Sequence, residues 1–345
     1  SWVSPQLLHT IKRITTCAGG RYATSMSRCK LMPITMAVCP NCKENLQDNI
    51  KTNEGGFKSF SDVFPEIVVH STGYSQLEEY SQQCSVCALP MNLIFDQKGD
   101  VTLFQYPGDL LLAIQNRIAF LDWKKRQLNG WISVSLLTRA SCSIEGNLGA
   151  SDYSGFIRDI LKDSNVILDV GCGNQEMPSY LVSNSTEGKT IIGLDPFPSL
   201  FSGTLVRGVA EFIPLKNSSV DMVNCASTID HFMNLDFSLR EIERVVKPGG
   251  VLAIWDHSGA TDQESSPRIL VRLRERFKEI QIRKFRIYTN GVLFKLDDHN
   301  EDPFHSRDSR KKNWAKNLHF KLVALNFEVI DHLEPVGFSL WRKLP

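Results

Sequence analysis

The chain has 345 residues, 42% of them hydrophobic, and a formal net charge of +1. That is enough apolar material for a sizeable core and for two domains, or one domain with additions. The near-zero charge excludes a global field drawing the protein to nucleic acid or membrane. No apolar run approaches the roughly eighteen residues of a membrane span. Nine scattered cysteines, an odd number, favour a reducing compartment, read here as the cytoplasm, over a disulfide scaffold.

Residues 1–43 contain no Asp or Glu yet carry Lys12, Arg13, Arg21, Arg28, Lys30 and Lys43. Such a stretch reads either as an organellar transit peptide or as an extension ahead of a natural start at Met26, Met32 or Met36. Residues 1–35 are expected to be a poorly ordered leader. Two C-x-x-C pairs follow, Cys39–Cys42 and Cys84–Cys87. Each pair can present two thiolates to one ion, and together they make a tetrahedral four-thiolate zinc site. The stretch from Thr52 to Tyr80 becomes a loop or hairpin between them, so residues 36–104 form a small cysteine-rich β module.

Asp109 to Leu128 reads as a helix, with Leu110, Leu111, Ile114, Ile118, Leu121 and Trp123 as its apolar stripe. It lies in a connection assigned to residues 105–150. Ser151 or Asp152 can cap the next helix. Strands are expected near 166–170, 190–194, 204–207, 220–225 and 250–255, with helices near 177–184 and over Leu239–Val246. Ile269–Phe285 and Lys311–Leu325 read as further helices. Phe327–Ile330 and Phe338–Trp341 read as closing strands. The alternation specifies a doubly wound parallel α/β sheet, whose ligands sit beyond the carboxyl ends of the strands.

The most informative stretch is Val166-Ile-Leu-Asp-Val-Gly-Cys-Gly-Asn174. A buried strand runs into a turn in which Gly171 and Gly173 permit positive φ and leave the backbone bare for a ligand. The strand Thr190–Asp195 ends in a carboxylate that can take both hydroxyls of a ribose, which points to a nucleoside cofactor. A dinucleotide fold needs its third glycine where this chain has Glu176, and a carboxylate there repels a pyrophosphate.

These residues resemble the class I S-adenosylmethionine (SAM) dependent methyltransferases. LDVGCGN looks like the first motif of that family and IIGLDP like its second. GVAEFIPLKNSSVDMV, STIDHF and VVKPGGVLAIWD look like the later ones, in the same order. The third glycine often found in the first motif is replaced by Gln175. The resemblance implies a seven-stranded Rossmann-like sheet over 151–345, closed by an antiparallel hairpin. It also implies a cofactor bed of Asp169, Gly171, Cys172, Gly173, Asp195, Pro196, Ala210, Glu211 and Ser227. There Gly171 and Gly173 pass under the methionine, and Asp169 fixes the loop or meets the amino group through water. Asp195 takes the ribose, Pro196 shapes the rim, Ala210 and Glu211 lie near the adenine, and Ser227 passes the sulfonium. His231 and His257 are candidate general bases, and His299 and His305 flank a candidate lid. The cysteine module is similar to zinc ribbons placed ahead of some methyltransferase domains. The leading function is methyl transfer to a small-molecule acceptor. The alternatives are an RNA methyltransferase that grips RNA through the zinc module, and a non-catalytic partner subunit.

Overall fold

The computed structural model describes residues 29–52, 80–137, 149–173, 177–182, 184, 186–196, 201–256, 288–289, 292–293, 314–333 and 337–345. The leader to residue 28, most of the Thr52–Tyr80 connection, Gln175, Glu176, His257, the 269–285 helix, His299 and His305 lie outside them. The strands are β1 (Met32–Pro33), β2 (Ile50–Thr52), β3 (Gln82–Cys84), β4 (Pro90–Phe95), β5 (Asp100–Gln105), β6 (Val166–Val170), β7 (Thr190–Asp195), β8 (Thr204–Arg207), β9 (Val220–Ala226) and β10 (Val246–Trp255). They are followed by β11 (Tyr288–Thr289), β12 (Val292–Leu293), β13 (Phe327–Leu333) and β14 (Phe338–Lys343). The helices are α1 (Gly108–Gln115), α2 (Arg117–Leu137), α3 (Gly149–Phe156), α4 (Arg158–Asp163), α5 (Ser179–Val182), α6 (Leu235–Val245) and α7 (Trp314–Ala324). Among the described residues, no helix is long and apolar enough to cross a membrane.

The expected seven strands are present in the order β13-β14-β10-β9-β6-β7-β8. The run from β10 to β8 is parallel, and β14 and β13 add to it antiparallel. The sheet does not stop there. β5 adds to β8 in parallel, and β4, β3 and β2 continue it, with β1 beside β5, to give twelve strands. The cysteine module is therefore an extension of the α/β sheet.

Both faces of the central strands are buried, and the period of two divides their side chains between two cores. Leu168, Val170, Ile192, Leu194, Val223, Cys225, Leu252 and Ile254 pack on the side of α6, α7 and the cysteine module. Ile167, Ile191, Met222, Val251 and Ala253 pack on the other side with Tyr153, Ile157 and Leu161 of the α3–α4 region and Tyr180 and Leu181 of α5. The alternation places β6, next to β7 on one side and β9 on the other, at the point where the chain order reverses. That is where a doubly wound sheet opens a crevice.

The single helix expected over Asp109–Leu128 is two. Asn116 is extended, at φ −157°, and its side-chain oxygen accepts from Ala119 N at 3.0 Å, which starts α2 afresh. The break turns Ile114, Ile118 and Leu121 of the anticipated stripe outward, whereas Leu110, Leu111 and Trp123 remain buried.

The module is fastened to the sheet through a buried carboxylate. Glu241 on α6 makes a forked pair with Arg244, at 2.8 and 2.9 Å, and accepts Lys43 Nζ at 2.6 Å. Arg244 also donates to the carbonyls of Ile213 and Leu215. Removing the carboxylate leaves two cations against a shielded surface. Glu241→Ala should therefore cost about 3 kcal/mol of unfolding free energy in a urea titration. A cost below about 1 kcal/mol, typical of an exposed pair, contradicts this reading.

Candidate functional site

The carboxyl ends of β6, β7, β8 and β9 converge on one edge of the sheet. After β6 the backbone turns through Gly171, at φ +75°, and Gly173, at φ +70°. Gly171 N donates to Leu194 O at 2.7 Å, tying the tip of β6 to β7. A Cβ on Gly171 would stand 2.1 Å from Thr228 Oγ1, so only glycine permits this approach to the segment after β9. Gly173 differs, because nothing described lies within 4 Å of where its Cβ would be. Among the described residues, that side of the Gly173 backbone faces open space.

Asp195 ends β7 and is mostly buried. Its carboxylate accepts Gly173 N at 3.0 Å, so the two features singled out in the sequence meet directly. Pro196, next to it, is exposed at the rim. Cys172 between the glycines is buried, its thiol 3.8 Å from the Gly173 carbonyl.

Asp169 is fully buried under this loop. Asn224 Nδ2 donates to it at 2.5 Å and the Tyr180 hydroxyl at 2.9 Å, and Tyr153 in turn donates to Asn224 Oδ1. Burial pushes the Asp169 carboxyl up to about 6, opposed by the bonds from Asn224 and Tyr180 and reinforced by the Asp195 charge. Nothing in the local sequence marked Asn224, Tyr153 or Tyr180, although all three carry polar atoms on positions that pattern as core.

Ala210 and Glu211 lie in a buried helical turn after β8. The Glu211 carboxylate faces protein backbone, accepting Asn234 N at 3.0 Å. Burial raises its pKa, and that backbone bond opposes the rise. Ser227 follows β9 with φ +54°, a left-handed conformation costly for a residue with a Cβ. Its hydroxyl is shielded from solvent and has no hydrogen-bond partner among the described residues.

His231 closes the turn Ile229–His231. Its carbonyl accepts Trp123 Nε1 at 2.7 Å and Gln127 Nε2 at 3.2 Å, so α2 fixes its position, and its ring lies 3.7 Å from Asp230 Oδ1. At the far end of the sheet, the thiols of Cys39, Cys42, Cys84 and Cys87 lie within 4.8 Å of one another. Cys39 stands 3.5 Å from Cys87, and Cys42 3.6 Å from Cys84. A tetrahedron of zinc–sulfur bonds has edges of about 3.8 Å, so these separations fit. The two knuckles repeat one another. In each, the first Cys carbonyl accepts the amide four residues on, from Lys43 or Ala88, and that residue has positive φ.

Residues 168–254 match a family model described as a methyltransferase domain, a stretch that begins in β6 and ends in β10. A probable methyltransferase, ltbC, of Aspergillus luteorubrus is 29% identical over 129 residues, 31% of this chain and 45% of that protein. An uncharacterized methyltransferase-like protein of Schizosaccharomyces pombe is 31% identical over 127 residues, 34% of this chain and 48% of that protein. The chain spans about half the length of the curated relatives it matches. Among solved structures, Burkholderia thailandensis 1,6-didemethyltoxoflavin-N1-methyltransferase, with bound 1,6-didemethyltoxoflavin and S-adenosylhomocysteine, is 13% identical with a TM-score of 0.40. That alignment covers 65% of this chain and 90% of the other. The family match falls on the stretch that carries the motifs, and it bears out the resemblance to class I SAM-dependent methyltransferases.

The raised pKa of Asp169 has a consequence for stability. The folded state holds this proton to about pH 6, whereas an unfolded Asp releases it near 3.9. The side chain's contribution is complete below about pH 4 and is lost as pH rises through about 6. Unfolding free energy should fall across that window more steeply in the wild type than in Asp169→Asn. Equal slopes in urea titrations contradict the assignment.

Proposed function

We propose that the protein is a SAM-dependent methyltransferase acting on a small-molecule acceptor such as a lipid, a sugar or another metabolite. The observation that carries this reading is the open backbone of Gly173 bonded to the Asp195 carboxylate, at the reversal point of a parallel sheet. The residues fit the cofactor. Gly171 closes the turn against Thr228, Gly173 offers a bare floor, the Asp195 carboxylate offers acceptor oxygens to ribose hydroxyls, and Ser227 holds a hydroxyl without a partner among the described residues. Asp169 supports the loop from below and, once ionised, favours a cationic ligand above it. Ala210 and Pro196 line the adenine and rim sides. Glu211, bonded to Asn234 N, shapes the adenine side by holding the segment after β9.

When bound, SAM supplies a methyl group on a positively charged sulfur, so the protein's share is to position an acceptor in line and exclude water. His231 is the general base we assign, since its backbone is held from α2 and its ring stands beside Asp230. His257 is a second candidate. The formal net charge of +1 favours a small acceptor over RNA, because binding through phosphates calls for a basic face. The described cysteines form no disulfide with one another, which suits the cytoplasm.

The test is binding and turnover with labelled SAM. Wild-type protein should bind it, Asp195→Ala should weaken binding by at least about tenfold through loss of the ribose bonds, and label should appear in small molecules of a cell extract. Unchanged affinity in Asp195→Ala sinks the ribose role, and label confined to RNA favours the other acceptor class.

The cysteine cluster is proposed to hold one structural zinc ion, with Cys39, Cys42, Cys84 and Cys87 as ligands and no open position for a catalytic water. Native mass spectrometry should find one zinc per chain, absent from the Cys42→Ser/Cys87→Ser double variant. Metal-free wild-type protein with a wild-type circular dichroism spectrum overturns the assignment.

A further inference from the structure

The loop proposed above to receive the adenine end, residues 208–217, is not held by the methyltransferase motifs alone. Tyr106, just past β5, is fully buried against it. Its ring occupies the space above Gly208, where a Cβ would stand 2.2 Å from the ring. The Gly208 amide donates to Asp195 O at 3.2 Å. The Tyr106 hydroxyl accepts Val209 N at 2.9 Å and donates to Phe212 O at 2.8 Å. One side chain just beyond the last strand of the cysteine-bearing extension thereby closes the turn that follows β8 and backs the residue assigned to the ribose.

The far end of the same loop is held from the first knuckle. Val38 N donates to Pro214 O at 3.1 Å, and Lys216 N donates to Met36 O at 3.0 Å. Cys42 is followed by Lys43, whose ammonium reaches Glu241, and Glu241 orients Arg244 toward the carbonyls of Ile213 and Leu215. Residue 43 sits in the left-handed conformation that ends the knuckle, so the knuckle's shape aims the lysine.

We propose that the cysteine module is the outer wall of the cofactor site. Tyr106 is a positioning residue for the adenine loop, and the metal-bound knuckle sets cofactor affinity through Lys43, Glu241 and Arg244. This rests on the cofactor and zinc readings given above. It assigns the extension a role within the site, independent of any contact with the acceptor.

The experiment compares wild-type protein, wild-type protein stripped of Zn2+ by a chelator, Tyr106→Phe and Lys43→Met. Hydrogen exchange of the 208–217 amides, SAM affinity by calorimetry, and KM and kcat are measured for each. Exchange of those amides should accelerate in all three altered samples relative to the core of β6 and β9. SAM affinity should fall about tenfold in Tyr106→Phe, as expected when a loop loses a buried hydrogen bond on each side of a turn. KM for SAM should rise with it while kcat at saturation stays within about twofold, since the variant alters cofactor binding and not the acceptor side. Lys43→Met, which leaves the loop's Tyr106 contacts in place, should give the same direction with a smaller amplitude. Wild-type protein that binds no SAM overturns the cofactor reading and this inference with it. Wild-type protein that binds SAM with an affinity and a loop exchange rate unchanged in both variants overturns the bracing alone.

Discussion

The site depends on a seam that tolerates no side chain. Gly171 stands where the end of β6, the end of β7 and the segment after β9 come together. Its amide is 2.7 Å from the Leu194 carbonyl, and Thr228 fills the space a Cβ would need. Positive φ at this position turns the chain sharply enough to leave Gly173 facing outward, within reach of Asp195. A side chain here would separate the strand tips, and the crevice would lose both its floor and its acid.

The groups around that seam are more costly than a packed core requires. A carboxylate with no exposure lies under the loop, Ser227 adopts a conformation suited to glycine, and its hydroxyl goes unanswered. Each opposes stability by an amount of order 1–3 kcal/mol, and they occur together at the one edge where parallel sheets place ligands. In the function proposed above, a cationic nucleoside lying on the loop would offer charge to the buried carboxylate.

Much of this was legible in the sequence because it is local. The apolar runs that end in Asp169-Val-Gly and in Leu194-Asp195 specify strands, tips and turn by composition alone, and the period of two forecasts which residues face each core. The C-x-x-C spacing likewise foretold that four thiols converge, although residues 43–83 separate the inner pair. What escaped notice lies between distant segments. Asn224 and Tyr153 hold Asp169 from other elements, Glu211 turns to a backbone amide more than twenty positions on, and β5 joins β8 as a parallel neighbour across about a hundred residues. Nothing in the local sequence distinguishes Tyr106 from an ordinary aromatic after a strand. Only the pairing of β5 with β8 brings its hydroxyl to Val209. The break at Asn116 was hidden for another reason: the apolar stripe continues across it, and periodicity does not register a capping side chain.

The central claim is that this crevice holds a sulfonium nucleoside by its sugar and its main-chain floor. A crystal structure of the protein grown with S-adenosylhomocysteine addresses it most directly. The account requires the homocysteine part to run over Gly173 beside Ser227, with both ribose hydroxyls on the Asp195 carboxylate. An empty crevice, or the nucleoside bound elsewhere with no ribose hydroxyl on Asp195, would contradict it.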